Sequence, residues 1–271
     1  ARRMFQSGIA TLADVHEAEA RYDDVQSQEI EAKNTFDIKI QALKRIIGGE
    51  PGQLNGLKEG VPFRNPDPEH IDDWVEKARK HNPTLKYYAE QVEVQQREVK
   101  KTSGQHFPTL DLVAGYTNTN TDSLIKTKTI GYCSVGVQLN LPIFSGGYIS
   151  AKVAENRALL QKSKKDYESS LAELTQKLTE SFLAIQGSIA KIDALATAVK
   201  SADTALHSNK MGLTAGVRTT TDVLNAQRER HNVRAKLFRA RYDYLVYLVR
   251  LKFYAGILGE DDLLMINQWM Q

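Results

Sequence analysis

The chain has 271 residues, 36 basic against 33 acidic, and a formal net charge of +3, so no strong field selects nucleic acid as a partner. A quarter of the residues are charged, with only 17 Gly and 7 Pro, which argues against disorder. The single cysteine, Cys133, rules out an internal disulfide framework and a cysteine-based zinc site; it is expected as a small packing residue, buried or facing the outside of a barrel.

No stretch approaches the roughly 18 uncharged apolar residues of a membrane-spanning helix. Any membrane contact is therefore expected from barrel strands or from the surface.

Four segments show helical period. In the first, about Thr11 to Ile47, Val15, Ala18, Tyr22, Val25, Phe36, Ile40, Leu43 and Ile47 recur at helical steps. Gly48-Gly49-Glu50-Pro51-Gly52 stops it. The second, about Glu69 to Ser103, carries Ile71, Trp74 and Ala78, then Leu85, Tyr88, Val92 and Val99; Asn82-Pro83 splits it into two helices. The third, about Ile149 to Met211, keeps its apolar spacing for sixty-odd residues, a rod of roughly 90 Å that must pack along other rods. The fourth covers about Thr219 to Ala255.

Between the second and third helices the period falls to two. Leu110, Leu112, Ala114 and Tyr116 alternate with polar or small residues, as do Val135, Val137, Leu139 and Leu141. Two half-buried strands are expected, joined by a polar loop from Asn118 to Thr129. Such alternation also suits a membrane barrel, and a strand pair with one apolar face needs partners.

Sliding the sequence by 208 residues superposes the first and fourth helices without a gap. Gly8 meets Gly216, Thr11 meets Thr219, Asp14 meets Asp222, Val15 meets Val223, and Gly48 meets Gly256. The matches fall on cap, stripe and stop, so the unit is a duplication. The second copy follows a strand pair and a long helix, whereas seven residues precede the first. The expectation is a longer natural protein of which the N-terminal part is missing here. Accordingly, Ala1-Arg2-Arg3-Met4-Phe5 shows no signal peptide.

Several stretches resemble the TolC family of outer-membrane efflux and type I secretion channels. They are Pro108-Thr-Leu-Asp-Leu112, Leu139-Asn-Leu-Pro-Ile-Phe-Ser-Gly-Gly147, Ala215-Gly-Val-Arg-Thr-Thr-Thr-Asp-Val-Leu-Asn225, Ala240-Arg-Tyr-Asp-Tyr-Leu245 and Asn82-Pro-Thr-Leu85. The resemblance implies a mainly α fold of long antiparallel coiled-coil-like helices, with a short β-hairpin contributing to a trimeric outer-membrane β-barrel. It further implies a homotrimer in outer-membrane lipid, with a periplasmic tunnel that meets a periplasmic adaptor protein and an inner-membrane pump. Cofactor, metal and nucleic acid are not expected, and neither is an enzymatic activity.

On that resemblance the chain divides into seven parts. Residues 1–48 are the tail of the first repeat, its tip turn and an ascending helix. Residues 49–68 are a connector at the tunnel equator, 69–106 helices leading to the membrane, and 107–144 two barrel strands with their loop. Residues 145–211 form the long descending helix, 212–218 the periplasmic tip turn, and 219–271 the second ascending helix with a C-terminal equatorial segment.

Thr11 with Asp14, and Thr219 with Asp222, have capping-box spacing, hydroxyl at the N-cap and carboxylate three residues on. That role needs no channel. Threefold symmetry would also make Asp222 a carboxylate ring favouring cations at a narrow tip. Arg218 has Ala10 in the first copy; by resemblance it is a gating residue that ties neighbouring helix pairs, with Asp14 as its candidate partner. A solvated turn arginine is the alternative. Two positions depart from the family's well-studied member: Asn225 replaces a second acidic residue, and Leu213 replaces an aromatic of the closed tip.

The histidines His16, His70, His81, His106, His207 and His231 have no metal-ligand spacing. His16 and His207, near the turns, are candidates for a pH response or plain surface residues. The competing function is a soluble periplasmic coiled-coil adaptor, which the long helix and its return would fit equally well.

Overall fold

The computed structural model describes residues 2–6, 8, 11–58, 60–123 and 126–270. In chain order the elements are α1 (Arg2–Gln6), α2 (Leu12–Ile47), α3 (Ile71–His81), α4 (Pro83–Gly104), β1 (Thr109–Ser123), β2 (Lys126–Asn140), α5 (Tyr148–Thr214), α6 (Thr220–Ala255) and α7 (Glu260–Met270). They form two units, Ala1–Lys77 with Lys177–Gln271, and Ala78–Gln176.

In the first unit the duplication is visible in the backbone. α2 and α6 have 36 residues each and begin on N-caps of nearly the same conformation, φ −88°, ψ 162° at Thr11 and φ −93°, ψ 163° at Thr219. Each ends on a glycine in the left-handed region, Gly48 and Gly256, both with φ 71°. Glycine suits this conformation because it has no Cβ to clash with the following carbonyl.

The two copies differ in what covers them. On α6, Val233, Leu237, Ala240, Tyr244, Leu248, Leu251 and Ala255 are buried at three- and four-residue steps. On α5, Leu178, Phe182, Ile185, Ile192 and Leu206 are buried. Arg230 of α6 pairs with Asp203 of α5, and Lys177 Nζ lies 5.9 Å from the ring centre of Tyr254. On α2 only Val15 is buried, while Tyr22, Val25, Phe36 and Ile47 of the expected stripe are more than half exposed. Period reports which residues share a face, and says nothing of whether a partner lies on it.

The connector after α2 is strapped onto α6 by tyrosines. The Tyr244 hydroxyl donates to the Arg64 carbonyl at 2.8 Å and accepts from the Arg64 N–H at 3.2 Å. Burial pushes its pKa up. The Phe63 ring meets the Tyr244 ring edge-on at 5.1 Å, and Tyr242 accepts from the Leu57 N–H. Trp74, 1% exposed, donates its indole N–H to the Pro68 carbonyl at 2.8 Å. A backbone bond from Lys58 to Trp269 brings in α7.

Neither α7 nor the short α1 is anticipated by the periodicity: α1 has only five residues, and in α7 the apolar residues Leu263, Leu264, Met265 and Ile266 are adjacent and mark no single face. The signal for α7 is its start: Glu260, Asp261 and Asp262 occupy the first turn, where the helix dipole favours negative charge.

In the second unit, the expected break falls at Asn82-Pro83. Asn82 caps α4 with its Oδ1 accepting from the N–H of Thr84 and Leu85, and Pro83 takes the first helical position. α4 and α5 are pinned by one buried polar contact. Asn156 donates to the Thr102 hydroxyl at 2.7 Å, which donates in turn to the Glu98 carbonyl.

β1 and β2 are antiparallel and fully in register from Thr109↔Asn140 to Ser123↔Lys126. The expected loop from Asn118 to Thr129 is therefore corrected. Strand pairing runs through nearly all of it, and only 124 and 125 lie outside the described residues. The polar tract Thr117-Asn-Thr-Asn-Thr121 reads as a loop by composition, yet threonine is β-branched and suits an extended backbone.

The register places Leu110, Leu112, Ala114 and Tyr116 opposite Leu139, Val137, Val135 and Cys133, on one face. That face is bare: Leu110, Leu112, Tyr116, Val135, Val137 and Leu139 are each about 70% exposed. Cys133 is exposed too, on the same face. Of its two expected settings, buried is overturned.

α5 is long and apolar enough, by length and composition alone, to cross a membrane. Its Ala, Leu and Ile residues raise the average although Lys191 and Asp193 interrupt them.

Candidate functional site: the two capped turns

The turn before α6 is built around two glycines. Gly216 sits at φ 73° and Gly8, its counterpart before α2, at φ 72°. The N–H groups of Val217 and Arg218 both donate to the Gly212 carbonyl, at 2.9 and 3.2 Å. Gly212 is required for a different reason. A Cβ there would stand 2.5 Å from Cγ of Arg218 and 3.2 Å from its Cβ. The chain closes on itself only because Gly212 has no side chain where the Arg218 stem passes. In the first copy Met4 and Ala10 hold these positions, the bulk exchanged between them; Ala10 lies outside the described residues. That reciprocal exchange is the signal by which Gly212 could have been found.

Both helices open on capping boxes. Thr11 Oγ1 accepts from the Asp14 N–H, and Asp14 Oδ2 accepts from the Thr11 N–H and hydroxyl, both at 2.8 Å. Thr219 and Asp222 repeat the pattern, with 3.0 Å for both carboxylate contacts. The bond from the Thr backbone N–H, and then that from the hydroxyl, holds each carboxylate below the ordinary aspartate pKa. Arg218 depresses Asp222 slightly further.

The guanidinium of Arg218 makes no hydrogen bond or ion pair among the described residues. Within one chain it does not reach Asp14, whose carboxylate is engaged by Thr11. Leu213 is half-buried, and its carbonyl accepts from Gly216 N–H. His207 is exposed, and His16 Nδ1 lies 3.5 Å from Glu19. No group of three or more His, Cys, Asp or Glu with metal-site geometry occurs among the described residues.

The structure adds contacts between the two copies. Near their N-terminal ends α2 and α6 lie against each other through Glu17, Arg21, Thr221 and Asn225. Of these, only Asn225 stands out in the sequence.

Residues 74–257 match the family described as Outer membrane efflux protein. The chain belongs to that family.

Among relatives of this efflux-family chain, the alkaline protease secretion protein AprF of Pseudomonas aeruginosa is 33% identical over 97% of the chain. Outer membrane protein TolC of Escherichia coli is 30% identical over 97%, and the proteases secretion protein PrtF of Dickeya chrysanthemi 29% identical over 100%. The chain spans 55%, 55% and 59% of the length of these relatives, in that order. Solved structures share the fold. The outer membrane protein VceC of Vibrio cholerae superposes with a TM-score of 0.77 at 17% identity, covering 94% of this chain and 61% of VceC. The channel CusC superposes with 0.79 at 14% identity, covering 94% and 59%.

Proposed function

We propose that the protein containing this chain is the outer-membrane exit duct of a tripartite efflux pump or type I secretion system. It is a homotrimer seated in outer-membrane lipid, with a periplasmic tunnel that an adaptor and an inner-membrane pump engage. Family membership supports this reading over a soluble adaptor. The observation that carries it is the hairpin, whose six large apolar side chains face nothing. At about 1.5–3 kcal/mol per buried side chain, that face forgoes on the order of 10 kcal/mol in water and regains it in lipid. Two strands cannot close a barrel; further strands must come from more of the protein and from other protomers.

The seven-part division by residue follows from the same reading, with the tip at 212–218. There Arg218, without a hydrogen bond or ion pair among the described residues, reaches across to a neighbouring helix pair, with Asp14 its candidate partner. Asp222 contributes one carboxylate per protomer to a cation-favouring ring. The test is the full-length protein: it should fractionate with the outer membrane, run as a trimer in detergent and conduct in planar bilayers. A soluble periplasmic monomer would end the proposal.

A further inference from the structure

The contacts between α2 and α6 concern the opening of that duct. Arg21 on α2 donates one amino group to Glu17 Oε1 at 2.5 Å and the other across to Asn225 Oδ1 at 2.7 Å. Glu17 in turn accepts from the Thr221 hydroxyl at 2.9 Å through its other oxygen. The result is an open series of four side chains, Asn225–Arg21–Glu17–Thr221, two from each helix.

The duplication shows that this contact is specific. Offset by 208, Glu17 corresponds to Asn225, Arg21 to Glu229 and Ala13 to Thr221. The copies keep the Thr–Asp cap but differ at every position of the contact, and each difference supplies one half of it. Thr221 adds a donor where Ala13 has none, and Arg21 adds a cation where the other copy has an acid. Asn225 offers a neutral acceptor beside Glu17, where a second carboxylate would put two like charges on one guanidinium. Asn225 is then a member of a cross-helix contact as well as a charge missing from a ring.

We propose that Arg21, braced by Glu17 and fastened to Asn225, is a latch that holds α2 against α6 and must break for the tip to open. The proposal rests on the exit-duct reading. The Arg21 and Glu17 side chains are 29% and 43% exposed, so one latch is weak, worth roughly a threefold bias. In a threefold assembly that opens in concert, three such latches compound to about 30-fold.

The experiment compares full-length wild type with Arg21→Ala, Asn225→Ala, the double variant and Arg218→Ser in planar bilayers, with potassium chloride as the only permeant salt. Each single substitution at the latch should raise open probability several-fold to about 30-fold, and the double variant should go no further than either single. Singles that leave open probability unchanged, or a double whose effect is the product of the two, would overturn the latch. Asn225→Ala, on the other helix from Arg21, provides a second route should Arg21→Ala fail to assemble. Opening by Arg218→Ser without opening by Arg21→Ala or Asn225→Ala sinks the latch and leaves the duct intact. A wild type that forms no pore at all sinks both.

Discussion

A hydroxyl on Thr219, 3.2 Å from the Asp222 N–H, satisfies one of the four donors that a helix start leaves without partners. Thr219→Ala removes it and should cost about 1 kcal/mol of local stability, read as faster hydrogen exchange over residues 220–223. Equal exchange in the variant would show that water caps this helix as well. Asp14 and Asp222 set a pH limit on both turns. Their folded pKa values lie below the ordinary one, so their contribution is complete above the unfolded value of about 3.9 and fades as pH falls through the folded value. Corrected exchange rates at the two helix starts should be flat from pH 5 to 8 and rise only below about pH 4. Gly212→Ala should be worse than a helix-propensity scale implies, since alanine favours helix. The added methyl must push the Arg218 stem aside; in the full-length protein the expected result is a raised leak conductance, similar to that of Arg218→Ser. These residues were unequally legible. Thr–x–x–Asp is a local hydrogen-bond device and announces itself in four letters, whereas Gly212 matters through a contact six residues away that only the closed turn creates.

Among the elements, the apolar face of the hairpin makes the sharpest prediction. Val137 points to the bare face, Gln138 to the other. Val137→Arg should cost about 2–4 kcal/mol if that face meets the middle of a bilayer. The measurement is the amount and heat stability of trimer recovered from outer membranes, with Gln138→Arg as the milder comparison. Equal loss from both would argue that neither face meets lipid. Helix starts and stops were legible because Gly, Pro and capping side chains act within a turn of themselves. The length of the strands was not, because threonine-rich polar tracts serve loops and extended strands alike. Burial on α2 was not legible either: Tyr22 and Phe36 fit the stripe that Tyr244 and Leu248 occupy on α6, yet no described element covers them.

For the whole molecule, one physical fact points to assembly: a strand pair without neighbouring strands among the described residues. A lone two-stranded pair is not stable as a free-standing object in water. The amino-acid sequence by itself determined the order of the long helices and the strand pair, the duplication at an offset of 208, the capped turns and the family likeness, because all of these are written in local chemistry and in spacing along the chain. Only the tertiary structure decided which copy of the repeat is covered and how far the hairpin pairs. It alone showed that Arg218 has no hydrogen bond or ion pair among the described residues, and that Arg21 and Glu17 meet Asn225 and Thr221. Those outcomes depend on distances between residues some two hundred positions apart, which no local pattern encodes.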